Sequence, residues 1–410
     1  MEDLHRRALT RGVVTFVAVA VVGSTLVWSL GRSDDATQSP APTTGGASPS
    51  VSVTPPTPEA WLTWVPGGLP PSYGDLVSTV PEVVASTTAT ADVAWMTASL
   101  DADGNGVDEP QPPMMIPIEV TGVDPTFAAF IPEPERQLVQ NMRPQEGILS
   151  ESEANLRGLG AGSTLLFQGG EQIPVIGTLP DAMMGAYELL VTRDTARRLG
   201  VTHERYVLFH VRPGSEVTPQ DLVPAFRDLL PADALYPAVE IRAPGEAAYL
   251  RANDRAIPPV ALKLKFGEFA AHPDATDPTH LVIDPTWVND NIQSATLPLV
   301  GTVTCHTKTL FLLKQAMRAL VAAGTTGTIA DIGACFDPVA SPDDPNGPLS
   351  AAAWGASILL NPSSNTAGDR PNQPKELVQE MYRWGYGWGG NDAYPQGALF
   401  RYRKPPNGQD

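Results

Sequence analysis

The sequence predicts an α+β protein in which two folded domains follow an N-terminal transmembrane helix and a disordered linker. Three observations lead to this fold class. An uncharged apolar run lies near the start of the chain, a stretch rich in Ser, Thr and Pro follows it, and strand patterns then alternate with helix patterns up to residue 402. Strands and helices mixed in this irregular order are typical of the α+β class.

The apolar run, 13–30, predicts a single-pass membrane helix after a cytoplasmic segment, 1–12. As a helix the run would measure about 27 Å, close to the thickness of a bilayer's hydrocarbon core. The preceding arginines, Arg6, Arg7 and Arg11, keep the N-terminus in the cytoplasm by the positive-inside rule, so both folded domains are predicted to be extracytoplasmic. A cleaved signal peptide is the alternative, although its apolar region is usually shorter.

The next segment, 31–58, predicts a disordered tether because it has too few apolar side chains to offset chain entropy. Patterned sequence follows it. A change of pattern near residue 243 divides that sequence into two predicted domains, 59–243 and 244–403, and a short tail, 404–410, ends the chain.

The net charge and the number of cysteines bear on which ligands the protein can bind and on whether it contains a disulfide. The net charge is −18 and no basic stripe is present, which argues against a nucleic-acid-binding domain. Cys305 and Cys335 are the only cysteines. In an exported chain such a pair predicts a disulfide, with two free thiols or half of a metal site as the alternatives.

The first domain begins with strand patterns at 93–100 and 116–122, on either side of a polar turn, 101–108. Two further strand patterns, 164–167 and 172–177, surround a Gly-Gly pair and predict a hairpin.

The polar turn contains the start of a calcium-loop pattern, with Asp101, Asp103, Asn105 and Gly106 at the matching positions. The twelfth position is Pro112, whereas an EF-hand loop needs a bidentate Glu there. The flanking patterns are also strands. The segment is therefore interpreted as a hairpin turn, with a calcium site as the alternative.

Residues 148–167, 173–185 and 195–202 resemble the extracytoplasmic domain of MacB/FtsX-type ABC transporter permeases. The order of a short helix, a glycine turn and two strands carries this resemblance. It implies an α+β fold and suggests, as one possible role, an accessory subunit of an envelope ABC transporter.

The second domain is predicted to contain helices at 308–323 and 375–384 and strands at 327–332 and 356–360. Its sequence is similar to the family of zinc D-alanyl-D-alanine carboxypeptidases and L-alanyl-D-glutamate endopeptidases. The similarity is carried by segments spread over most of the domain: 264–270, 283–292, 301–310, 334–336, 348–365, 376–390 and 395–402.

This resemblance implies a zinc site, but the matching positions lack suitable side chains. The two histidine ligands fall on Ala352 and Leu399, the aspartate ligand on Leu359 and the acidic base on Gln396. A catalytic zinc needs three ligands with lone pairs, and its bound water needs a general base. Hydrocarbon side chains supply no ligand and an amide is no base. The sequence therefore predicts no catalytic residues, no metal and no cofactor.

The distribution of histidine supports this expectation, because no histidine follows His306. A rebuilt metal site would have to use His272, His280 or His306, and this is the alternative in which an active cell-wall metallopeptidase has a relocated site.

Aromatic and cationic residues near the lost site predict a binding groove formed by Trp354, Trp388, Tyr394 and Arg401. Rings can stack on a sugar or peptide and Arg401 can pair with a carboxylate. Burial in the core is the alternative for the rings.

The main functional hypothesis is a membrane-anchored pseudoenzyme that binds a peptidoglycan stem peptide or an envelope protein. The relocated metallopeptidase and the transporter subunit remain its alternatives.

Overall fold

The structure is a computed structural model that describes residues 59–234, 237–253, 255–339 and 347–403. The predicted cytoplasmic segment, membrane helix, linker and C-terminal tail lie outside these residues. All described residues belong to one compact unit.

The first half of the described chain forms a ten-stranded sheet. In chain order its strands are β1 (Trp61–Trp64), β2 (Val83–Leu100), β3 (Gly106–Asp108), β4 (Ile116–Val123), β5 (Gly147–Ser150), β6 (Thr164–Phe167), β7 (Gln172–Leu179), β8 (Leu189–Thr192), β9 (Glu204–Val211) and β10 (Glu240–Arg242).

Six of these strands close into a barrel, because the strand order β2–β4–β8–β5–β7–β6 returns to β2. Strand β2 permits the closure through its length of 18 residues. Its residues 90–96 pair with β4, and after a bulge its last residues pair with β6. A bulge bends a strand and increases its twist, as closure requires. The first part of β2 pairs with β9, which continues the sheet through β1 to β10.

Three smaller sheets follow in the second half. They pair β11 (Ala271–Pro273) with β12 (Leu281–Ile283), β13 (Ile292–Leu297) with β14 (Gly301–His306), and β15 (Ser357–Leu359) with β17 (Leu399–Tyr402), which also pairs with β16 (Tyr386–Trp388).

Ten α-helices lie among the described residues: α1 (Tyr73–Val77), α2 (Glu135–Asn141), α3 (Glu151–Arg157), α4 (Asp181–Met184), α5 (Arg193–Arg198), α6 (Pro219–Arg227), α7 (Pro259–Phe266), α8 (Pro285–Asn291), α9 (Thr307–Ala322) and α10 (Lys375–Arg383). Helix α9 buries an apolar face that includes Leu310, Leu313, Met317 and Leu320. This is the face that the sequence spacing predicts.

The predicted membrane helix, 13–30, lies outside the described residues, and among these no helix is both long and apolar enough to cross a membrane. The predicted α+β class is wrong, because the described chain is a mixed α/β structure with a closed six-stranded barrel. Parallel pairing of β4 with β8 and of β5 with β7 produces this mixture, because parallel neighbours need crossover connections.

The predicted strand 327–332 is also wrong, since the segment is irregular apart from one isolated bridge at Ile332. The side chain of Asn361 replaces a partner strand there. It accepts a hydrogen bond from the Ala330 amide at 2.7 Å and donates one to the Thr328 carbonyl at 2.8 Å. These bonds satisfy the backbone groups that a sheet would otherwise pair.

Cys305 and Cys335 form a disulfide, which is the pairing that the sequence predicts. It joins the end of β14 to the segment before β15. Gly355 packs against the backbone beside this disulfide. A Cβ atom at residue 355 would lie 2.5 Å from the backbone nitrogen of His306, and the φ angle of Gly355 is +61°. Both facts restrict this position to glycine.

A cluster of buried charged side chains joins the barrel to the residues after 243. The Lys263 ammonium lies 2.5 Å from Glu188 and 2.9 Å from Glu268. Arg157 pairs with the same Glu268 and with Glu153, one turn before it on α3. Both cations are almost completely buried, so each depends on these carboxylates for the interactions that water would otherwise provide.

The buried charge cluster contains five carboxylates and three cations, which are Asp108, Glu119, Glu153, Glu188, Glu268, Arg157, Arg251 and Lys263. Burial, and then the charge of Glu188, raise the pKa of Glu153 to about 8 against the opposing effect of Arg157. Burial also raises the pKa of Glu188. The excess of carboxylates is therefore offset by retained protons.

Candidate ligand-binding cleft

A cleft of about 1480 Å³ lies between the outer end of the large sheet and the sheet that contains β17. Strand β10 and the start of α6 line one side, and α10 with the ends of β16 and β17 lines the other. The segment 246–261, which runs into α7, supplies further lining residues.

Cations dominate the lining of the cleft. Five of its residues are basic and two are acidic, in a chain whose net charge is −18. The basic residues are Arg242, Arg255, Lys265, Arg401 and Arg403, and the acidic ones are Glu246 and Asp392. This is a local reversal of the protein's overall charge, and a concave surface strengthens the resulting field.

Arg242 and Arg401 each form an ion pair with a carboxylate of the chain itself. Arg242 pairs with Glu240, behind the wall, and Arg401 pairs with Asp392. Burial raises the pKa of Asp392, and the opposing charge of Arg401 limits the increase. These pairs hold two guanidinium groups in fixed positions.

Arg403 and Arg255 have different environments. The guanidinium carbon of Arg403 lies 4.2 Å from the ring centroid of Tyr382, and none of the described carboxylates forms an ion pair with it. Arg255 is exposed and donates a hydrogen bond to the Asn391 carbonyl oxygen. A stacked guanidinium keeps its edge available for a carboxylate or phosphate.

Aromatic rings lie among these cations, namely Tyr249, Tyr382, Trp388 and Tyr402. Trp388 is held by its indole N–H, which donates to the Gly397 carbonyl at 2.7 Å. Rings beside cations can contact the apolar parts of a ligand whose anionic groups bind to arginine. The cleft therefore fits an anionic ligand with apolar side groups.

The structure brings only part of the predicted groove together. Trp388 and Arg401 line the cleft. Trp354 is completely buried, with its N–H donating to the Gly267 carbonyl at 3.1 Å, because its large apolar surface packs in the core. Tyr394 lies away from the cleft, where its hydroxyl donates to the Ala367 carbonyl at 3.2 Å. Neither Trp354 nor Tyr394 is among the lining residues.

The four positions matched to a zinc site lie on neighbouring elements. Leu359 and Leu399 are register partners across β15 and β17, so their side chains share a face of this sheet. The Gln396 carbonyl accepts a hydrogen bond from the Leu399 amide at 3.0 Å, and Ala352 lies in the 3₁₀ turn before β15. This donor set does not fit zinc, since three of its side chains have no lone pair.

The histidines that could rebuild a metal site are used in other ways. The Nδ1 atom of His306 accepts a hydrogen bond from the Lys308 amide at the start of α9, and Nε2 lies 3.1 Å from the Phe266 carbonyl oxygen. Burial lowers the pKa of His306 to about 4, so the ring is neutral. His280 contacts Asp277, and His272 contacts the Pro273 carbonyl oxygen. Nowhere in the described ranges do three or more His, Cys, Asp or Glu side chains form a group that could hold a metal ion.

The segment 101–108 forms a turn that leads into β3, which pairs back onto β2. The Asp101 carboxylate accepts hydrogen bonds from the Asp103 and Asn105 amides at 2.9 and 2.8 Å and from the Asn105 side chain. The side-chain bond from Asn105 is the main cause of the lowered pKa of Asp101. Asp101 therefore stabilises its own turn, as the hairpin interpretation expects.

Four basic residues of the cleft were missed by sequence reasoning: Arg242, Arg255, Lys265 and Arg403. They come from separate segments of the chain, and each has the sequence context of an ordinary surface cation. One signal was available for Arg403. Arg401 and Arg403 are two positions apart in the run Arg-Tyr-Arg at the end of a strand, and this spacing places both on one face.

No protein-family model matches the chain, and no curated protein matches it. Similar solved structures include the periplasmic region of MacB from Actinobacillus actinomycetemcomitans, with 12% identity, a TM-score of 0.31 and coverage of 45% of this chain and 88% of that one. A domain of a putative permease protein from Porphyromonas gingivalis has 16% identity, a TM-score of 0.29 and coverage of 50% and 94%.

The extracellular domain of the noncanonic ABC-type transporter YknZ from Gram-positive bacteria has 13% identity, a TM-score of 0.26 and coverage of 41% of this chain and 87% of that one. The middle region thus resembles the extracytoplasmic domains of such permeases at low identity. The comparisons contain no support for the predicted carboxypeptidase-like domain, 244–403.

Proposed function

We propose that the protein is an extracytoplasmic, non-catalytic binding protein whose cleft holds a carboxylate-bearing peptide. The observation that carries the proposal is the charge reversal of the cleft, in which five cations and two carboxylates surround aromatic rings. An arginine binds a carboxylate with two parallel hydrogen bonds, and this geometry gives both affinity and orientation.

The peptidoglycan stem peptide is the proposed ligand. It carries carboxylates along its length and at its end, and its alanine methyl groups suit contact with Tyr382 and Trp388. The sequence resemblance of 244–403 to enzymes that act on this peptide is the reason for choosing it among acidic peptides.

Binding without hydrolysis is proposed because the matched positions offer no zinc ligands. Leu359 and Leu399 face the same side of their sheet, and Gln396 cannot act as a general base. The disulfide between Cys305 and Cys335 supports an extracytoplasmic location, since disulfides persist mainly in oxidising compartments.

The test is calorimetric titration of the full chain with a synthetic stem pentapeptide, beside the same peptide with its terminal carboxylate amidated. We expect saturable binding of the acid form and at least about tenfold weaker binding of the amide, because a charge-assisted pair is lost. Equal affinity for both forms, or no binding at millimolar peptide, would refute the proposed ligand.

Mass spectrometry of the same mixtures, with and without added zinc, tests the absence of catalysis. The peptide should remain intact after prolonged incubation at high protein concentration. Release of D-alanine that stops with a chelator would establish the relocated metallopeptidase instead.

A second candidate is an accessory subunit of an envelope ABC transporter that docks through residues 73–240. The names of the similar structures point to this role, but TM-scores of 0.31 and below give the likeness no weight as support. In-cell crosslinking from exposed positions on this region decides the matter, and recovery of a permease subunit would favour this candidate over the peptide-binding function.

A further inference from the structure

Helix α9 has an unusual composition on its solvent-facing side. The helix contains Lys308, Lys314 and Arg318 but no acidic residue, although the chain as a whole is strongly acidic. Within the described part of the chain, none of these three cations forms an ion pair. The helix therefore presents uncompensated positive charge to solvent.

Two apolar side chains accompany these cations on the same side. Phe311 is 59% exposed and Val321 is 43% exposed. Phe311, Lys314, Arg318 and Val321 are separated by three or four positions, so they follow one line along the helix. We call this line the outer stripe of α9. The opposite face of α9 packs in the core. The outer stripe therefore has no packing partner among the described residues.

The carboxyl end of α7 extends this surface. The Lys308 ammonium donates a hydrogen bond to the Lys265 carbonyl oxygen, which places the first turn of α9 beside α7. Leu264, the residue before Lys265, is 51% exposed. Leu264 is therefore an exposed apolar residue near the start of α9, outside the outer stripe.

We propose that the outer stripe of α9 docks on an anionic lipid surface. Basic side chains attract a protein to anionic lipid headgroups, and exposed apolar side chains beside them can enter the interfacial region. The cations meet the lipid phosphates, and Phe311 enters the boundary of the acyl chains. The proposal is independent of the peptide-binding function, because the stripe shares no residue with the cleft.

Vesicle sedimentation of the full chain tests the proposal, with pure phosphatidylcholine vesicles compared with vesicles that contain 30% phosphatidylglycerol. The measured quantity is the ratio of the two partition coefficients. Each cation near an anionic surface is worth about a fivefold change in binding, so the double variant Lys314→Ala/Arg318→Ala should lower the ratio roughly 25-fold. Phe311→Ser should lower partitioning into both kinds of vesicle.

Lys375→Ala is the matched control, because Lys375 is an exposed cation at the start of α10. It should leave the ratio unchanged. The apolar run 13–30 is identical in all variants, so whatever it contributes cancels in the comparison. Circular dichroism checks that each variant is folded. An unchanged ratio in the double variant would overturn the proposal, and so would a wild-type ratio of one.

Discussion

The buried charge cluster and the basic cleft use the same types of side chain for opposite purposes. Both lie where the large sheet meets the second half of the chain. In the cluster, five carboxylates outnumber three cations, and all but Asp108 and Glu268 are almost completely buried. In the cleft, five cations outnumber two carboxylates and the group is open to solvent.

The difference shows how each imbalance is resolved. The fully buried carboxylates of Glu153 and Glu188 have no access to ions or ligands, so they retain protons, as the raised pKa of each indicates. An open group with surplus positive charge can receive an anion from outside. The first arrangement fixes the relation between two halves of the chain, and the second can recognise a ligand. Four predictions test this contrast.

The largest effect is expected for Lys263→Met in the buried charge cluster. The substitution leaves Glu188 and Glu268 without their shared ammonium, and breaking a buried ion pair costs about 3–5 kcal/mol. Urea denaturation followed by fluorescence measures the loss of unfolding free energy. The control Lys375→Met removes an exposed cation and should change stability by less than about 0.5 kcal/mol. Similar losses of unfolding free energy in both variants would show that the buried cation contributes no more to stability than an exposed one.

The second prediction concerns the pH dependence of stability. The pKa of Glu153 is about 8 in the folded protein, well above its ordinary value of 4.5. The folded state therefore binds a proton that the unfolded state releases between these values, and this contribution to stability falls as pH rises from about 4.5 to 8 by up to about 1.4 kcal/mol per pH unit.

Glu153→Gln should reduce this slope, because the amide stays neutral in both states, whereas Glu188, whose pKa is also raised by burial, keeps its own contribution. Denaturation midpoints measured from pH 5 to pH 8 provide the comparison with wild type. Glu151→Gln, an exposed neighbour on α3, is the control and should retain the slope. A wild-type slope in the Glu153 variant would show that Glu153 is not the proton-binding residue.

The third prediction separates recognition from folding. Arg403→Ala removes a stacked guanidinium from the cleft and should weaken binding of the stem pentapeptide about tenfold. The melting temperature should stay within about 2 °C of wild type, since none of the described carboxylates loses a partner. Arg403→Lys keeps the charge but not the planar stack, so it should restore only part of the affinity. A large fall in melting temperature would assign Arg403 to the fold.

The smallest effect is expected for Glu246→Gln. Glu246 is an exposed carboxylate in the lining of the cleft, and its removal increases the surplus of positive charge. Binding of the acidic peptide should become about twofold tighter at low salt, and the gain should disappear at 0.5 M salt through screening. Titrations at two ionic strengths measure it. Weaker binding at low salt would contradict a role for the net charge of the cleft.

Sequence patterns predicted the features of the fold that are local. The hairpin of β6 and β7 followed from two strand patterns around Gly169 and Gly170, and α9 followed from its apolar spacing. Closure of the barrel could not be predicted from the sequence, because the pairing of β6 with β2 joins segments more than sixty positions apart. No local pattern specifies such a partner, and the same holds for the parallel pairs.

The candidate site was predictable to a similar extent. Trp388 and Arg401 were found because they lie in two neighbouring segments, 376–390 and 395–402, that carry the family resemblance. The remaining cations come from four different places in the chain, and only folding brings them together. The buried charge cluster was missed for a different reason. Glu153 and Arg157 are four positions apart on a short helix, a spacing that normally describes an exposed pair.

The position of β1 has a consequence for the order in which the chain can fold. This strand is the first of the described strands, yet it lies between β9 and β10, which end at residues 211 and 242. It must stay without its sheet partners until most of the first half has been synthesised. Contacts between such distant residues slow folding, typically to milliseconds or seconds. A chaperone that shields apolar segments would therefore be most useful to this protein during synthesis of its first two hundred residues or so.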